Sequence, residues 1–500
     1  MSDIIKTYTV SSEGLTVKVD IAKETIVNSY NISIPQINTA TLALMESIKE
    51  ELIKGTRIKT EEIFDPSSVK KIKTDFKERT QKLLERRIPG LSVEIKDMLI
   101  AFLLHETLGL GRLELLFADD DLEEIVINTS KEPVWVYHKE FGWLKTNVTI
   151  ESEQEIQNYA NIIGRRAGRQ ISVLNPLLDA HMITGDRANA TLFPISTKGN
   201  TLTIRKFARR PWTITDFIES KTVTPDVAAL MWLIIQYELN MIIAGGTSSG
   251  KTSFLNTLLP FIQPNHRIIS IEDTRELAFP DFLHWVPLTT REPNPEGKGE
   301  VSMLDLLINS LRMRPDRIIV GEIRRGEQAE VLFEAMHTGH SVYATLHADT
   351  VEQVIRRMTN PPINIPHVMM ESLHCVAVVH RDRRKGIRRL YQLAELLPTG
   401  ESLGNVSLDS NLLYRSKPSG EIVAHDESVR IFDMIAMHTG ITRKEFNDDI
   451  KEKVSILDWL VKNQVKSIND IGLVIAKYYR EKDEVLKAVK QKESPKIILE

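Results

Sequence analysis

Residues 240–253 read NMIIAGGTSSGKTS, and the fold follows from how this stretch is parsed. Asn240 to Ala244 is a short apolar run of strand type, and LNTLL at 255–259 has the pattern of a buried helix. Between them, Gly245 to Thr252 fits the spacing G-x-x-x-x-G-K-[ST]. A Gly-rich turn joining a strand to a helix lets successive backbone N–H groups converge on an anion at the helix N-terminus. On this reading Gly246, Thr247, Ser248, Ser249 and Gly250 form a phosphate cradle and Ser253 continues the first helical turn. Lys251 is placed for the β- and γ-phosphates and the Thr252 hydroxyl for Mg²⁺. A flexible Gly/Ser linker is the bland alternative, and the strand and helix on either side argue against it.

Working outward, β-branched runs at 240–244, 267–271, 317–321, 342–345 and 375–380 alternate with segments of helical period. Such alternation predicts an α/β fold, a parallel sheet with helices on both faces, whose ligands lie outside the carboxyl ends of the strands. The second run ends in Glu272-Asp273-Thr274-Arg275-Glu276, which suits a helix N-cap or, on this edge of the sheet, phosphate chemistry. The third ends at Gly321 with Glu322 next, where a carboxylate would orient water or hold Mg²⁺ through water. His340 and His347 bracket the fourth; without a metal-ligand spacing, a phosphate or carboxylate contact is the better reading. Arg312 and Arg314, and Arg187 and Arg205 further upstream, are either solvated surface residues or donors to transition-state charge. The basic run 380–389, HRDRRKGIRR, is a solvated loop or a site for an acidic partner or phospholipid headgroups.

The whole chain sets bounds on these readings. Its 500 residues exceed one hydrophobic core, and 42% hydrophobic with 26% charged residues excludes a disordered or collagen-like chain. We expect a mixed helical subdomain at 1–92, an α+β domain at 93–210 and a linker at 211–222. A nucleotide-binding core at 223–400 and a mainly helical part at 401–500 come next. With 64 Lys and Arg against 68 Asp and Glu, the net charge of −4 supplies no global field for nucleic acid. One cysteine, Cys375, forms no internal disulfide or thiolate zinc site and fits a reducing cytosol. MSDIIKTYTV lacks the apolar core of a signal peptide, and Val227–Gly246 is broken by Gln236, Glu238 and Asn240. Any membrane role is expected to be peripheral, from the cytoplasmic side.

Four motifs in order, GGTSSGKTS, IEDTREL, LRMRPDRIIVGEIR and TGHSVYATLHAD, resemble the type II/IV secretion ATPase family with its Walker A loop, Asp box, atypical Walker B and His box. GLGRLELLFADDDLEEIVIN, VWVYH and TLTIRKF are similar to its N-terminal domain, and the chain looks most like the archaeal branch that assembles type IV pili or archaella. The resemblance implies a RecA-like P-loop ATPase domain that binds ATP and Mg²⁺ through Lys251 and Thr252. It implies Glu272 as the Asp-box acid, Glu322 as the catalytic Walker B glutamate and His340 and His347 as His-box residues. Arg205 takes the place of an arginine that reaches the nucleotide, with Arg187 a second candidate. It further implies a cytoplasmic homohexamer acting on a polytopic inner-membrane platform protein, and through it on pilin subunits. Conjugative or secretion export, pilus retraction, DNA translocation and nucleotide sensing without turnover are the competing readings. GEIRRGEQA, 321–329, departs from the usual GE-x-RG-x-EA pattern and leaves the roles of Arg324 and Arg325 open.

Overall fold

The computed structural model describes residues 3–35, 37–55, 66–182, 185–207, 210–291, 293, 297–382, 386–399 and 407–499. The chain divides into two compact units, Met1–Arg209 and Arg210–Glu500. The domain boundary expected at 400/401 falls outside the described residues.

In the first unit, strands β1 (Asp3–Ser12), β2 (Leu15–Lys23), β3 (Ser29–Ser33), β4 (Leu122–Ile127), β5 (Trp135–His138), β6 (Gly142–Thr146), β7 (Leu177–His181), β8 (Arg187–Thr191) and β9 (Thr201–Arg205) form one sheet. Its order is β1-β2-β3-β6-β5-β4-β9-β8-β7, antiparallel except where β3 meets β6. Period-two alternation sets the buried face: Val17, Val19 and Ile21 of β2 point inward while Thr16 and Lys18 are exposed. The helix Glu153–Arg166 closes that face, started by Ser152, whose hydroxyl accepts from Glu155 N. Helices Thr39–Gly55, Pro66–Arg87 and Val93–Leu108 bury a separate core around Met45, Ile48, Phe76 and Leu103.

The second unit carries β10 (Met241–Gly245), β11 (Arg267–Glu272), β12 (His284–Thr289), β13 (Arg317–Val320), β14 (Ser341–Leu346), β15 (Cys375–Asp382), β16 (Ile387–Thr399), β17 (Ser407–Ser416) and β18 (Ile422–Ala424). Their order is β12-β11-β13-β14-β10-β15-β16-β17-β18. The first six are parallel, as expected from the alternating pattern, and the last three are antiparallel. All five residues of β10 and all six of β14 are buried, because helices cover both faces of a parallel sheet. Among those helices, Pro225–Gln236 packs against Arg443–Lys462 and stacks Trp232 on Phe261 at 5.1 Å. No helix among the described residues is long and apolar enough to cross a membrane.

Asn240 joins the amino ends of β10, β14 and β15. Its Oδ1 accepts from Val342 N at 2.8 Å, its Nδ2 donates to Ser372 O at 2.8 Å, and its backbone N–H donates to His374 Nδ1 at 2.7 Å. Burial pushes the His374 pKa down to about 3, so the ring stays neutral and Nδ1 can accept. Asn240→Ala would take the partner from the buried Val342 N and from the part-buried Ser372 O. The expected cost is about 2–4 kcal/mol, seen as a lower urea midpoint at unchanged slope.

Candidate functional site

Strand β10 ends at Gly245, and the chain turns through a loop that two positive φ angles close, Ser248 at 58° and Gly250 at 91°. Gly250 is the N-cap of the helix Lys251–Leu258, so the N–H groups of the first turn face the loop. Gly245 is sterically required, because a Cβ there would lie 2.5 Å from the carbonyl oxygen of Val379; at Gly246 a Cβ would lie 2.9 Å from the Asp349 side-chain Oδ1. Lys251 folds back over the loop, its Nζ donating to the carbonyls of Gly245 at 3.1 Å and Gly246 at 3.3 Å. Burial lowers its pKa, while the carboxylates of Glu322, Asp349 and Glu276 act in the opposite sense. Thr252 is half-buried in the first helical turn and Ser253 is exposed beside it.

Three other parallel strands end on the same side of the sheet as this loop. Beyond β14, His347 Nε2 lies 3.0 Å from the Thr247 hydroxyl. Beyond β13, the Glu322 carboxylate accepts from Arg324 Nε at 2.8 Å, and the same guanidinium pairs with Asp273 at 2.6 Å. At the end of β11, Glu272 is 2% exposed; its Oε1 accepts from Glu276 N and Leu277 N, and its buried Oε2 has no partner among the described residues. Burial raises the Glu272 pKa to about 7, with the two backbone donors opposing. A Cβ at Gly321 would stand in van der Waals contact with Glu272, 3.4 Å from its Cγ. Thr345 Oγ1 fixes the Gly321 carbonyl at 2.5 Å.

Within the second unit, not every residue singled out from sequence lies at this loop. His340 precedes β14, the opposite end from His347 and about 20 Å away at the rise of a strand, where its Nδ1 meets Thr338 Oγ1 and the Ala335 carbonyl. Arg312 and Arg314 likewise precede β13, exposed at its amino end, while Glu322 follows the carboxyl end. Arg187 and Arg205 belong to the first unit, side by side on β8 and β9; Arg187 pairs with Asp179 at 2.7 Å, and Arg205 also lies opposite Glu124. Arg325 is the N-cap of the helix Gly326–His337, where Gln328 Oε1 accepts from the N–H groups of Arg324 and Arg325. Sequence reasoning passed over three residues that touch or face the loop or its acids. Asp349 sat unremarked inside TLHAD, Asp273 inside the acidic cluster, and Arg388 inside the basic run, 383–385 of which lie outside the described residues. Arg388 Nε donates to Ser248 O at 3.2 Å.

The loop, the helix N-terminus and Lys251 suit a polyphosphate. A buried Ser249 hydroxyl without a partner among the described residues is one further polar group directed within the same loop. No three His, Cys, Asp or Glu side chains among the described residues gather to hold a metal unaided. Thr252 with Glu322 therefore fits Mg²⁺ only as it arrives with phosphate oxygens.

Residues 186–382 match the family described as Type II/IV secretion system protein. An uncharacterized protein of Methanocaldococcus jannaschii is 41% identical over 309 residues, 61% of this chain and 55% of that one. Another from the same organism is 34% identical over 252 residues, 50% of this chain and 92% of its own length. The chain belongs to the type II/IV secretion system ATPase family. The type IV secretion system protein PtlH of Bordetella pertussis is 30% identical over 302 residues, covering 54% of this chain and 88% of PtlH. The chain spans about half the length of the first curated relatives it matches.

Glu272 gives the apo protein a distinctive pH dependence. A carboxyl with its folded pKa raised from 4.5 to about 7 holds its proton in the folded state after the unfolded chain has lost it. Its contribution to stability is therefore full below the unfolded pKa and is lost as pH rises to 7 and beyond. In urea melts, Glu272→Gln should remove a loss of about 3 kcal/mol across this window. Parallel wild-type and variant curves would contradict the assignment.

Proposed function

We propose that this chain hydrolyses ATP with Mg²⁺ at the Lys251 loop. We further propose that, as a homohexamer peripheral to the cytoplasmic face of a membrane, it drives assembly of a type IV pilus-like filament, an archaeal pilus or archaellum. The partner in this reading is a polytopic membrane platform protein that acts on pilin subunits, and no nucleic acid takes part. The observation that carries the catalytic half is that Lys251, Glu322, Glu272 and His347 all lie at the carboxyl ends of strands on the one side of the sheet that carries the Gly-rich loop.

The residues divide the work. Backbone N–H groups of 246–251 and the Lys251 ammonium bind the phosphates, and Thr247, tied to His347, lines the outer side of the loop. Mg²⁺, when bound, neutralises charge on the β- and γ-phosphate oxygens. Glu322 accepts the proton of the attacking water, and Arg324, fixed by Asp273, occupies one of its carboxylate oxygens and leaves the other for the water. Glu272, whose pKa burial raises to about 7, keeps its proton below neutral pH and can then donate a hydrogen bond from the strand next to that of Glu322.

The filament reading rests on the four ordered motifs and the N-terminal stretches that resemble the archaeal branch of the family. The type IV secretion name of PtlH favours the second reading, export of protein or DNA by a motor of the same family.

Glu322→Gln keeps the size and removes the base, so it should bind ATP and turn it over about 10²–10³-fold more slowly in a steady-state assay. Light scattering with nucleotide should give a hexamer, and single-stranded DNA should not stimulate turnover. Cells carrying this variant should lose surface filaments by electron microscopy; intact filaments with lost export would select the second reading. Arg324→Ala should lower kcat about tenfold or more while KM for ATP stays within about threefold, and Arg324→Lys should recover part of the loss. Equal changes in kcat for Ala and Lys would reduce Arg324 to a structural contact.

A further inference from the structure

At the antiparallel end of the second sheet, β15–β18 and the turn 417–420 border a half-open concavity of about 450 Å³ that none of the loop residues lines. Its walls carry Arg389, Arg415, Lys417, His380 and His425, with one acidic residue, Asp382. Arg389 donates to the Gly420 carbonyl and so folds the turn over the strand. Arg415 lies over the Tyr391 ring, 5.8 Å from its centroid, and reaches the Tyr391 hydroxyl at 3.4 Å. Lys417 and His425 pair with Glu421 and Asp426, whereas neither Arg389 nor Arg415 has a carboxylate at ion-pair distance among the described residues. Two planar guanidinium forks, neither of them ion-paired among the described residues, outnumber the one carboxylate of the wall, Asp382, and are suited to a dianion. The volume exceeds that of a bare phosphate, and Ile387, Pro418 and Val423 offer apolar wall to an organic body.

The same strand touches the nucleotide loop. Successive side chains of β16 point to opposite faces, so Arg389 faces the cavity while its neighbour Arg388 faces away. Arg388 donates to Ser248 O at 3.2 Å, and its Cδ lies 3.4 Å from where a Cβ on Gly250 would be. Anything that draws Arg389 and the edge of β16 toward an occupant is felt at the loop through one residue.

We propose that this cavity is an effector site for a small organic phosphate monoester about the size of a nucleoside monophosphate, linked to the loop at 245–252 through Arg388. The link to the loop rests on the proposed nucleotide reading of that loop, whereas the cavity itself is tested by AMP binding alone.

The experiment is isothermal titration of the full-length chain with AMP in the presence of saturating Mg–ADP, which occupies the loop. AMP should bind at one further site, inorganic phosphate about tenfold more weakly, and Arg415→Gln should weaken AMP binding at least about tenfold with an unchanged thermal melt. AMP should also shift the Mg–ADP affinity about threefold, and Arg388→Ala should abolish that shift while AMP still binds. Absence of AMP binding, or binding undiminished in Arg415→Gln, overturns the site; an ADP affinity indifferent to AMP overturns the link. Displacement of AMP by phosphatidate vesicles would place the natural phosphate in a lipid headgroup, and no displacement would place it in solution; either result supports the site. Failure of Mg–ADP itself to bind would count against the loop's role and leave the AMP titration readable.

Discussion

The polarity of the parallel sheet is the constraint on which the second unit depends. β10 is buried on both faces and hydrogen-bonded along both edges, to β14 and β15, so nothing can approach it except at its ends. The amino ends are closed by buried polar groups that hydrogen-bond across neighbouring strands. Asn240 is one; Arg317 is another, wholly buried and donating to His266, Ser341 and Tyr343. With that end closed, the carboxyl ends are where backbone donors stay open, and reactive side chains from strands distant in sequence meet there.

This polarity explains what was legible in the sequence. β10, β11, β13, β14 and β15 are continuous apolar runs, and each falls within about two residues of its expected position. β12, HWVPLT, is a half-exposed edge strand containing Pro287, and β16 mixes Arg with apolar residues, so neither gives a clean period. In the first unit β7 and β8 turn small alanines inward, Ala180, Ala188 and Ala190, which carry little β signal.

The loop was readable because its chemistry is local: eight consecutive residues supply the turn, the donors and the cation. Partners that depend on strand order were not. Asp349 comes to Gly246 from a strand next to β10 in space but about a hundred residues along the chain, and Arg388 comes from farther still. His340 and His347 are one motif in sequence, yet a six-residue strand lies between them, so only one of the two can stand at the loop. Motif spacing along a strand does not say which end of the sheet a residue occupies.

Lys251 sets the energetics of the empty loop. Its ammonium is held by two carbonyls of the very loop it serves, so that loop is internally neutralised by dipoles and not splayed by an unmatched cation. An arriving phosphate exchanges partners with those carbonyls. The measured affinity is then a difference between two lysine states, smaller than the attraction of an ammonium for a phosphate suggests. The same exchange is reversible without unfolding the turn: when product departs, the lysine has a resting place within its own side-chain length, and the loop returns to a defined ground state between cycles.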